Sequence, residues 1–244
     1  MRNTKVYVHI GYGRTGTTWL QNNVFPKIGG IFFHGKTQEN FPDWIIDWSY
    51  LDRFHLNVEK IKQIRENIYS CNRHEKILIS SESFTQTGFI YDQMQRISLV
   101  VPDAKIIVTI RDPVEICISK YLRMLNVGII SKDQKLMDVC DFSNRPLDLS
   151  RRNRLYVNDF NYRLIVPFIQ KYFGEKNVLV VDHELLARDP MNYVELICDF
   201  IGVVPPSGII MDKVNCSPPS LPNTISNEEI AILRNATLDF KFVC

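Results

Sequence analysis

Two mostly apolar runs, Val6–Ile10 and Ile106–Ile110, stand out along the chain, and a helix-forming stretch follows each of them, after a glycine-rich loop in the first case. Unbroken runs of β-branched residues are typical of strands that are covered on both faces of a parallel sheet. Ile31–Phe33 is a third strand candidate, and Ser226–Asn235 is predicted as a final helix with a capping box at its start. This pattern predicts an α/β fold of three layers, in which helices flank a central, mostly parallel sheet.

A glycine-rich loop joins the first strand to its helix. Gly11, Gly13 and Gly16 lie in this connection, and Thr17–Leu20 opens the helix. Backbone N–H groups converge at a helix start, the helix dipole favours negative charge, and glycine lets an anion approach the backbone closely. The loop is therefore a candidate phosphate site, and the alternative is a tight turn with no ligand.

Two nucleotide motifs fit the glycine spacing only in part. Gly11 and Gly16 have the spacing of a Walker loop, but Thr17 stands where that motif needs Lys. The three glycines also satisfy G-x-G-x-x-G, but the next strand candidate ends in His34–Lys36, without the carboxylate that would hold a ribose. A third interpretation uses the cation inside the loop, Arg14, together with the threonine hydroxyls around it.

A second segment follows the run at Ile106–Ile110. Arg111 stands at the carboxyl end of this predicted strand, where open α/β sheets bind their ligands. Asp112 and Pro113 suit a helix cap and first turn, and Ser119 lies about two turns into that helix. A guanidinium and a hydroxyl at these positions can grip a phosphate. The alternative is that Arg111 pairs with a carboxylate and Ser119 is a buried helix residue.

The two segments together resemble the motifs of sulfotransferases that use 3′-phosphoadenosine 5′-phosphosulfate (PAPS). In this resemblance the loop around Arg14 holds the 5′-phosphosulfate, and Arg111 with Ser119 holds the 3′-phosphate. It implies a P-loop-like fold, PAPS as the sulfuryl donor and no metal, with Lys76–Ser81 similar to the middle strand of that fold. The nucleotide-binding residues implied are Arg14, Thr15, Gly16, Thr17, Thr18, Trp19, Arg111 and Ser119.

Sulfuryl transfer needs charge stabilisation on the leaving group and a base for the acceptor proton. Arg14 is the candidate for the first task. For the second, Glu82 stands near the place where cytosolic relatives have a catalytic His, and His34 near the place where carbohydrate- and tyrosine-sulfating relatives have a catalytic Glu. The alternatives are a Glu82 carboxylate paired with Arg14 or Arg111, and a partly buried loop histidine at position 34. We favour Glu82, and His34 stays open.

Composition limits the remaining possibilities. A chain of 244 residues with 45% apolar residues predicts one domain over residues 1–244, with acceptor-side insertions at about 26–75 and 128–156. A net charge of +2 argues against a nucleic-acid partner. No stretch is apolar enough for a transmembrane segment or a secretory signal. The six cysteines have no C-x-x-C spacing, and Cys117 and Cys198 lie on predicted helices among apolar residues. These two are predicted to be buried free thiols of a reducing compartment, and we expect a cytoplasmic location.

The resulting hypothesis is a sulfotransferase that moves a sulfuryl group from PAPS to a hydroxyl or amine, with a carbohydrate or small metabolite as acceptor. Two alternatives remain: a P-loop-type nucleotide or small-molecule kinase, and a non-catalytic nucleotide-binding module.

Overall fold

The computed structural model describes residues 4–35, 42–51, 55–70, 74–86, 89–143, 153–209 and 225–242. The chain divides into two compact units. The first consists of Met1–Ile110 with Phe168–Val214, and the second of Arg111–Pro167 with Asn215–Cys244.

The strands confirm the predicted runs to within a residue or two. They are β1 Lys5–Gly11, β2 Phe32–Gly35, β3 Lys76–Ser80, β4 Lys105–Ile110, β5 Cys140–Asp141, β6 Leu155–Tyr156 and β7 Val178–Asp182. The α-helices are α1 Thr17–Trp19, α2 Asp43–Tyr50, α3 Val58–Tyr69, α4 Ser83–Gln86, α5 Ile90–Val100, α6 Pro113–Asn126, α7 Leu136–Val139, α8 Tyr162–Phe173, α9 His183–Arg188, α10 Pro190–Ile201 and α11 Asn227–Ala236. A π-helical turn at Leu20–Val24 and a 3₁₀ turn at Phe25–Lys27 continue α1.

The sheet of the first unit is parallel throughout, with strand order β2-β3-β1-β4-β7. The predicted three-layer α/β class is confirmed. The resemblance placed the strand at Lys76–Ser81 in the middle of the sheet, and this was wrong. The central strand is β1, because it forms ladders with both β3 and β4, with His9 opposite Ser80 and Gly11 opposite Thr109. The carboxyl ends of these three strands therefore lie side by side at one edge of the sheet.

Side chains cap the helices where the sequence has a short polar residue. Asn57 accepts the Lys60 amide at 3.0 Å at the start of α3. The predicted capping box of the last helix is confirmed, because Ser226 accepts the Glu229 amide at 3.1 Å while the Glu229 carboxylate accepts the Ser226 amide at 2.9 Å.

The core of the first unit lies between the sheet and the helices α1 and α10. It contains Trp19 and Leu20 from the first helical segment and Tyr193 and Ile197 from α10. The Tyr7 hydroxyl on β1 donates to the carbonyl of Ile201 at 2.9 Å, which ties the end of α10 to the central strand. This packing fixes the helix that follows the glycine loop.

The second unit has its own core. Ile116, Cys117 and Tyr121 of α6 are fully buried, and the Tyr121 hydroxyl donates to the Gln134 carbonyl at 2.7 Å. Cys117 and Cys198 are buried free thiols as predicted, and Cys140 is a third. Among the described residues, no helix is long and apolar enough to cross a membrane.

Candidate active site

The loop after β1 begins with a tight turn that Arg14 closes in an unusual conformation. The Thr15 amide donates to the Tyr12 carbonyl at 3.2 Å, and Arg14, between them, has φ of 79°. A positive φ at the third residue of such a turn is normally left to glycine, because a Cβ there is strained. Arg14 is half-buried. Strain of this kind persists only where the surrounding structure holds it, which makes Arg14 a candidate functional residue.

Glycine is required at both ends of this loop. A Cβ on Gly11 would lie 2.7 Å from the Thr109 hydroxyl and would collide with the Thr17 hydroxyl. Gly16 has φ of 81°, and a Cβ there would lie 2.5 Å from Leu186 Cδ2. The loop is therefore a cradle in which no side chain fits at either position. Its amides stay close to any anion that the loop holds.

The threonines of the loop have different surroundings. Thr15 is fully buried, and its hydroxyl donates to the Tyr12 carbonyl at 2.6 Å. Thr17 is also buried, but its hydroxyl has only long contacts within the described part of the chain, 3.3 Å to the Thr15 hydroxyl and 3.4 Å to the Tyr12 carbonyl. Thr18 is exposed. The structure therefore leaves the Thr17 and Thr18 hydroxyls as candidates for ligand contact, and it places the Trp19 ring in the core.

Glu82 lies at the same edge of the sheet as the loop. It follows β3 in a turn and is half-buried. Thr85, in the helix that begins beside it, donates to the Gly11 carbonyl at 2.9 Å and contacts the Glu82 carbonyl at 3.0 Å. The Glu82 carboxylate also acts on a phenol, because burial first and then this negative charge raise the pKa of Tyr50. The backbone of the turn that carries Glu82 is therefore linked through Thr85 to the end of β1.

His34 lies on β2, opposite Ile79 of β3, and is mostly buried. Its ring packs edge-to-face against Trp44, with centroids 5.0 Å apart. Its Nε2 is 3.3 Å from the Ile68 carbonyl. Burial lowers the pKa of His34, although the bond to Ile68 opposes the shift. The imidazole is therefore neutral at pH 7, as a base must be.

The predicted second motif belongs to the other compact unit. Arg111 Nε is 3.1 Å from the Glu115 carboxylate, one turn along α6. Asp112 caps this helix, as predicted, by accepting the Val114 amide at 2.9 Å. Burial raises the pKa of Asp112, but the hydrogen bond from Lys241 at 2.8 Å and the helix amides outweigh burial and lower it.

Ser119 is almost fully buried in α6. Arg111 thus has the carboxylate partner that the alternative to phosphate binding predicts. Arg111 stands just before the Asp112 cap of α6, and Ser119 lies within that helix.

Several residues around the loop were not found from the sequence. His9, Ser80 and Thr109 are fully buried polar residues on the three neighbouring strands, and His183 of α9 lies next to Gly16. The available signal was a polar residue inside an otherwise apolar strand, as in Val6–Ile10. Among the described residues, no group of three or more His, Cys, Asp or Glu side chains has the arrangement of a metal site.

Comparison with known proteins gives one family and several similar structures. The family model described as the sulfotransferase domain matches residues 6–215. A sulfotransferase from Alicyclobacillus acidocaldarius is 19% identical, with a TM-score of 0.62 over 98% of this chain and 95% of that one. The sulfotransferase domain of the Synechococcus PCC 7002 olefin synthase is 16% identical, with a TM-score of 0.50 over 100% of this chain and 98% of that one.

At these identities the likeness to these two structures establishes the fold alone. A mouse sulfotransferase complexed with PAP is 15% identical, with a TM-score of 0.45 over 100% of this chain and 68% of that one. A search of curated proteins finds no match.

Proposed function

This chain belongs to the sulfotransferase domain family, and from that premise we propose that it moves a sulfuryl group from PAPS to a hydroxyl or amine acceptor. We place both compact units in one sulfotransferase-like domain and expect a carbohydrate or small metabolite as acceptor. The buried free thiols Cys117, Cys140 and Cys198 favour a reducing compartment, and we propose the cytoplasm.

The left-handed conformation of Arg14 is the observation that supports the donor assignment most directly. It holds a cation in a loop whose ends, Gly11 and Gly16, have no room for a Cβ. A phosphosulfate needs this combination of a nearby positive charge and accessible backbone amides. The residues present fit the group. A Walker-type kinase fits less well, because the lysine position is taken by Thr17, whose side chain is almost fully buried.

The loop residues have distinct tasks in this proposal. The first amides of α1 have no partner within the helix and would donate to the 5′-phosphosulfate. The Thr17 hydroxyl, with its two long contacts, would give its hydrogen to the same group. The Arg14 guanidinium would stabilise the negative charge that grows on the leaving oxygen. When bound, PAPS supplies the sulfuryl group and leaves as adenosine 3′,5′-bisphosphate.

The remaining tasks are the 3′-phosphate and the acceptor proton. We propose that Arg111 and Ser119 bind the 3′-phosphate, which requires the Arg111 fork to exchange its Glu115 partner for the phosphate. We propose Glu82 as the general base, because the turn that carries it is bonded to the end of β1 through Thr85. His34 is the alternative base.

The test compares nucleotides on the purified chain. Adenosine 3′,5′-bisphosphate should raise the melting temperature more than AMP, since a ligand of the folded state stabilises it by mass action and the bisphosphate has one more anchor. Arg111→Ala should remove that difference while the response to AMP stays. Equal shifts in the wild type would contradict the 3′-phosphate assignment. A large shift with Mg²⁺-ATP alone would favour the kinase, and bisphosphate binding without sulfate transfer to any acceptor would favour the non-catalytic module.

A further inference from the structure

A chain of buried polar side chains runs beneath the loop and has no part in the tasks above. At its centre is His9, fully buried on β1. Its Nδ1 is 2.7 Å from the Ser80 hydroxyl on β3, and its Nε2 is 3.3 Å from the Thr109 hydroxyl on β4. A charged imidazole is strongly disfavoured at this depth, so the ring is neutral and has one N–H.

The donor and the acceptor of each hydrogen bond in this chain of side chains can be assigned by starting from the Tyr12 carbonyl, at the end nearest the loop. The Tyr12 carbonyl can only accept, so the Thr15 hydroxyl gives it its single hydrogen at 2.6 Å. The Thr15 oxygen must then accept from Thr109, 2.8 Å away. Because the Thr109 hydrogen is used in that bond, its oxygen accepts from His9 Nε2. The proton of His9 is therefore on Nε2.

The other end of the chain agrees with this assignment. With the proton on Nε2, His9 Nδ1 has a lone pair and accepts the Ser80 hydroxyl hydrogen. The Ser80 oxygen in turn accepts from the Gln21 side-chain amide at 2.9 Å. Every donor thus points the same way, from Gln21 to the Tyr12 carbonyl, and no hydroxyl has two competing uses for its hydrogen.

We propose that His9 is a positioning residue for the phosphosulfate loop. As the Nε2–H tautomer it orients the Thr109 hydroxyl, which orients Thr15, and Thr15 holds the Tyr12 carbonyl with both its hydroxyl and its amide. These two hydrogen bonds to one carbonyl close the turn in which Arg14 has its left-handed conformation. The inference rests on the proposed function, because it assumes that this loop binds the nucleotide.

A simple packing role makes different predictions. The His9 ring also lies edge-to-face on Phe25, with centroids 5.2 Å apart, so part of its value is apolar contact. Packing depends on shape alone and would tolerate the loss of the Thr109 hydroxyl. The proposed relay, which is the hydrogen-bonded chain from Gln21 through Ser80, His9, Thr109 and Thr15 to the Tyr12 carbonyl, requires that hydroxyl and one tautomer of the ring. These two requirements can be measured separately.

The first experiment uses the wild-type chain with ¹⁵N-labelled histidine. Long-range ¹⁵N–¹H spectra distinguish the two neutral tautomers of an imidazole. His9 should give the Nε2–H pattern, with Nδ1 as the acceptor. An Nδ1–H pattern would overturn the inference, because the Thr109 and Thr15 bonds would then have to reverse. Because this measurement uses only the wild-type chain, it does not require that any variant folds.

The second experiment compares three variants on β4 by calorimetry with adenosine 3′,5′-bisphosphate. Thr109→Val keeps the shape, removes the hydroxyl and should raise Kd about 5- to 30-fold. Thr109→Ser restores the hydroxyl and should bind close to the wild type. Ile107→Val is the matched control, since it trims a fully buried apolar residue of the same strand. It should lower the melting temperature without changing Kd.

Two outcomes separate this inference from the proposed function. Wild-type affinity in Thr109→Val, or failure of Thr109→Ser to recover, would overturn the role of the relay while the nucleotide assignment stands. A wild-type chain that binds no bisphosphate would overturn the proposed function and the inference together.

Discussion

His34 Nε2 lies 3.3 Å from the carbonyl oxygen of Ile68, and a carbonyl can only accept. The proton of the neutral ring is therefore on Nε2, and Nδ1 is the nitrogen with the lone pair. If His34 were the base, Nδ1 would have to face the acceptor while the Trp44 ring packs against the imidazole. Glu82 is half-buried in the turn after β3, at the same edge of the sheet as the loop.

Replacement of these two residues decides which one is the base. Glu82→Gln should lower kcat by about 10²- to 10⁴-fold and leave the Kd for adenosine 3′,5′-bisphosphate unchanged, because the amide keeps the shape but takes no proton. His34→Asn should then act mainly on the KM of the acceptor. Steady-state kinetics with calorimetry on both variants checks this. Normal turnover in Glu82→Gln, with an inactive His34→Asn that still binds nucleotide, would make His34 the base.

The pH dependence of the rate distinguishes a His34 base from a Glu82 base less clearly than it would if both side chains had unperturbed pKa values. An unperturbed histidine base would lose activity below about pH 6.5, and a carboxylate below about pH 4.3. Burial lowers the pKa of His34, so its acid limb moves toward that of a carboxylate. The kinetics of Glu82→Gln and His34→Asn therefore decide between the two bases more clearly than the pH dependence of the rate does.

Gly11→Ala should destabilise the fold and distort the loop. The added methyl group would lie 2.7 Å from the Thr109 hydroxyl and would also meet Thr17, which costs about 1–3 kcal/mol when a packed site cannot expand. Gly29→Ala is the control, since a Cβ there has nothing within 4 Å, and its effect should stay within about 0.5 kcal/mol. Urea unfolding measures both. Equal midpoints for the two variants would show that the loop has room at Gly11.

Arg14→Gly should change stability and affinity in different ways. Glycine relieves the strain of the left-handed conformation, so the free energy of unfolding should stay within about 1 kcal/mol of the wild type or rise. The loss of a charged hydrogen-bond donor should weaken bisphosphate binding by about 1.5–3 kcal/mol. Arg14→Lys keeps the charge and should recover part of the affinity. If Arg14→Gly binds as tightly as the wild type, the guanidinium does not contact the nucleotide.

Local patterns were enough for much of this fold. The strand at Val6–Ile10, the glycine turn after it and the capping box at Ser226 and Glu229 all depend on residues close together in the sequence. Such features are set by backbone conformation and short-range hydrogen bonds, and the structure confirms each of them. The cap at Asp112 belongs to the same class.

The relay beneath the loop could not be predicted in this way. His9 and Thr109 are 100 residues apart, and they meet because β1 and β4 are neighbours in a particular register. Hydrophobic periodicity marks both as buried but does not pair them. For the same reason the sequence grouped Thr15 with the ligand-binding threonines. The bond from the Thr15 hydroxyl to the Tyr12 carbonyl is local, but only the register of β1 and β4 brings the Thr109 hydroxyl to 2.8 Å from it.

His9 should also make stability depend on pH in the acid range. Burial lowers the pKa of His9 from 6.5 to about 3. Between these values the unfolded chain binds a proton that the folded chain does not, so this part of the stability is complete above pH 6.5 and falls as the pH is lowered toward 3. The slope is at most about 1.4 kcal/mol per pH unit.

His9→Gln supplies the comparison, because its amide stays neutral and can still donate toward Thr109. The difference in unfolding free energy between wild type and His9→Gln should be constant above pH 6.5 and should shift against the wild type at each lower pH. Subtracting the two curves removes the contribution of the carboxylates, which titrate in the same range in both proteins. Urea titrations at intervals from pH 7 to pH 4 measure this difference. A difference that does not change with pH would mean that the folded and unfolded chains bind the His9 proton equally.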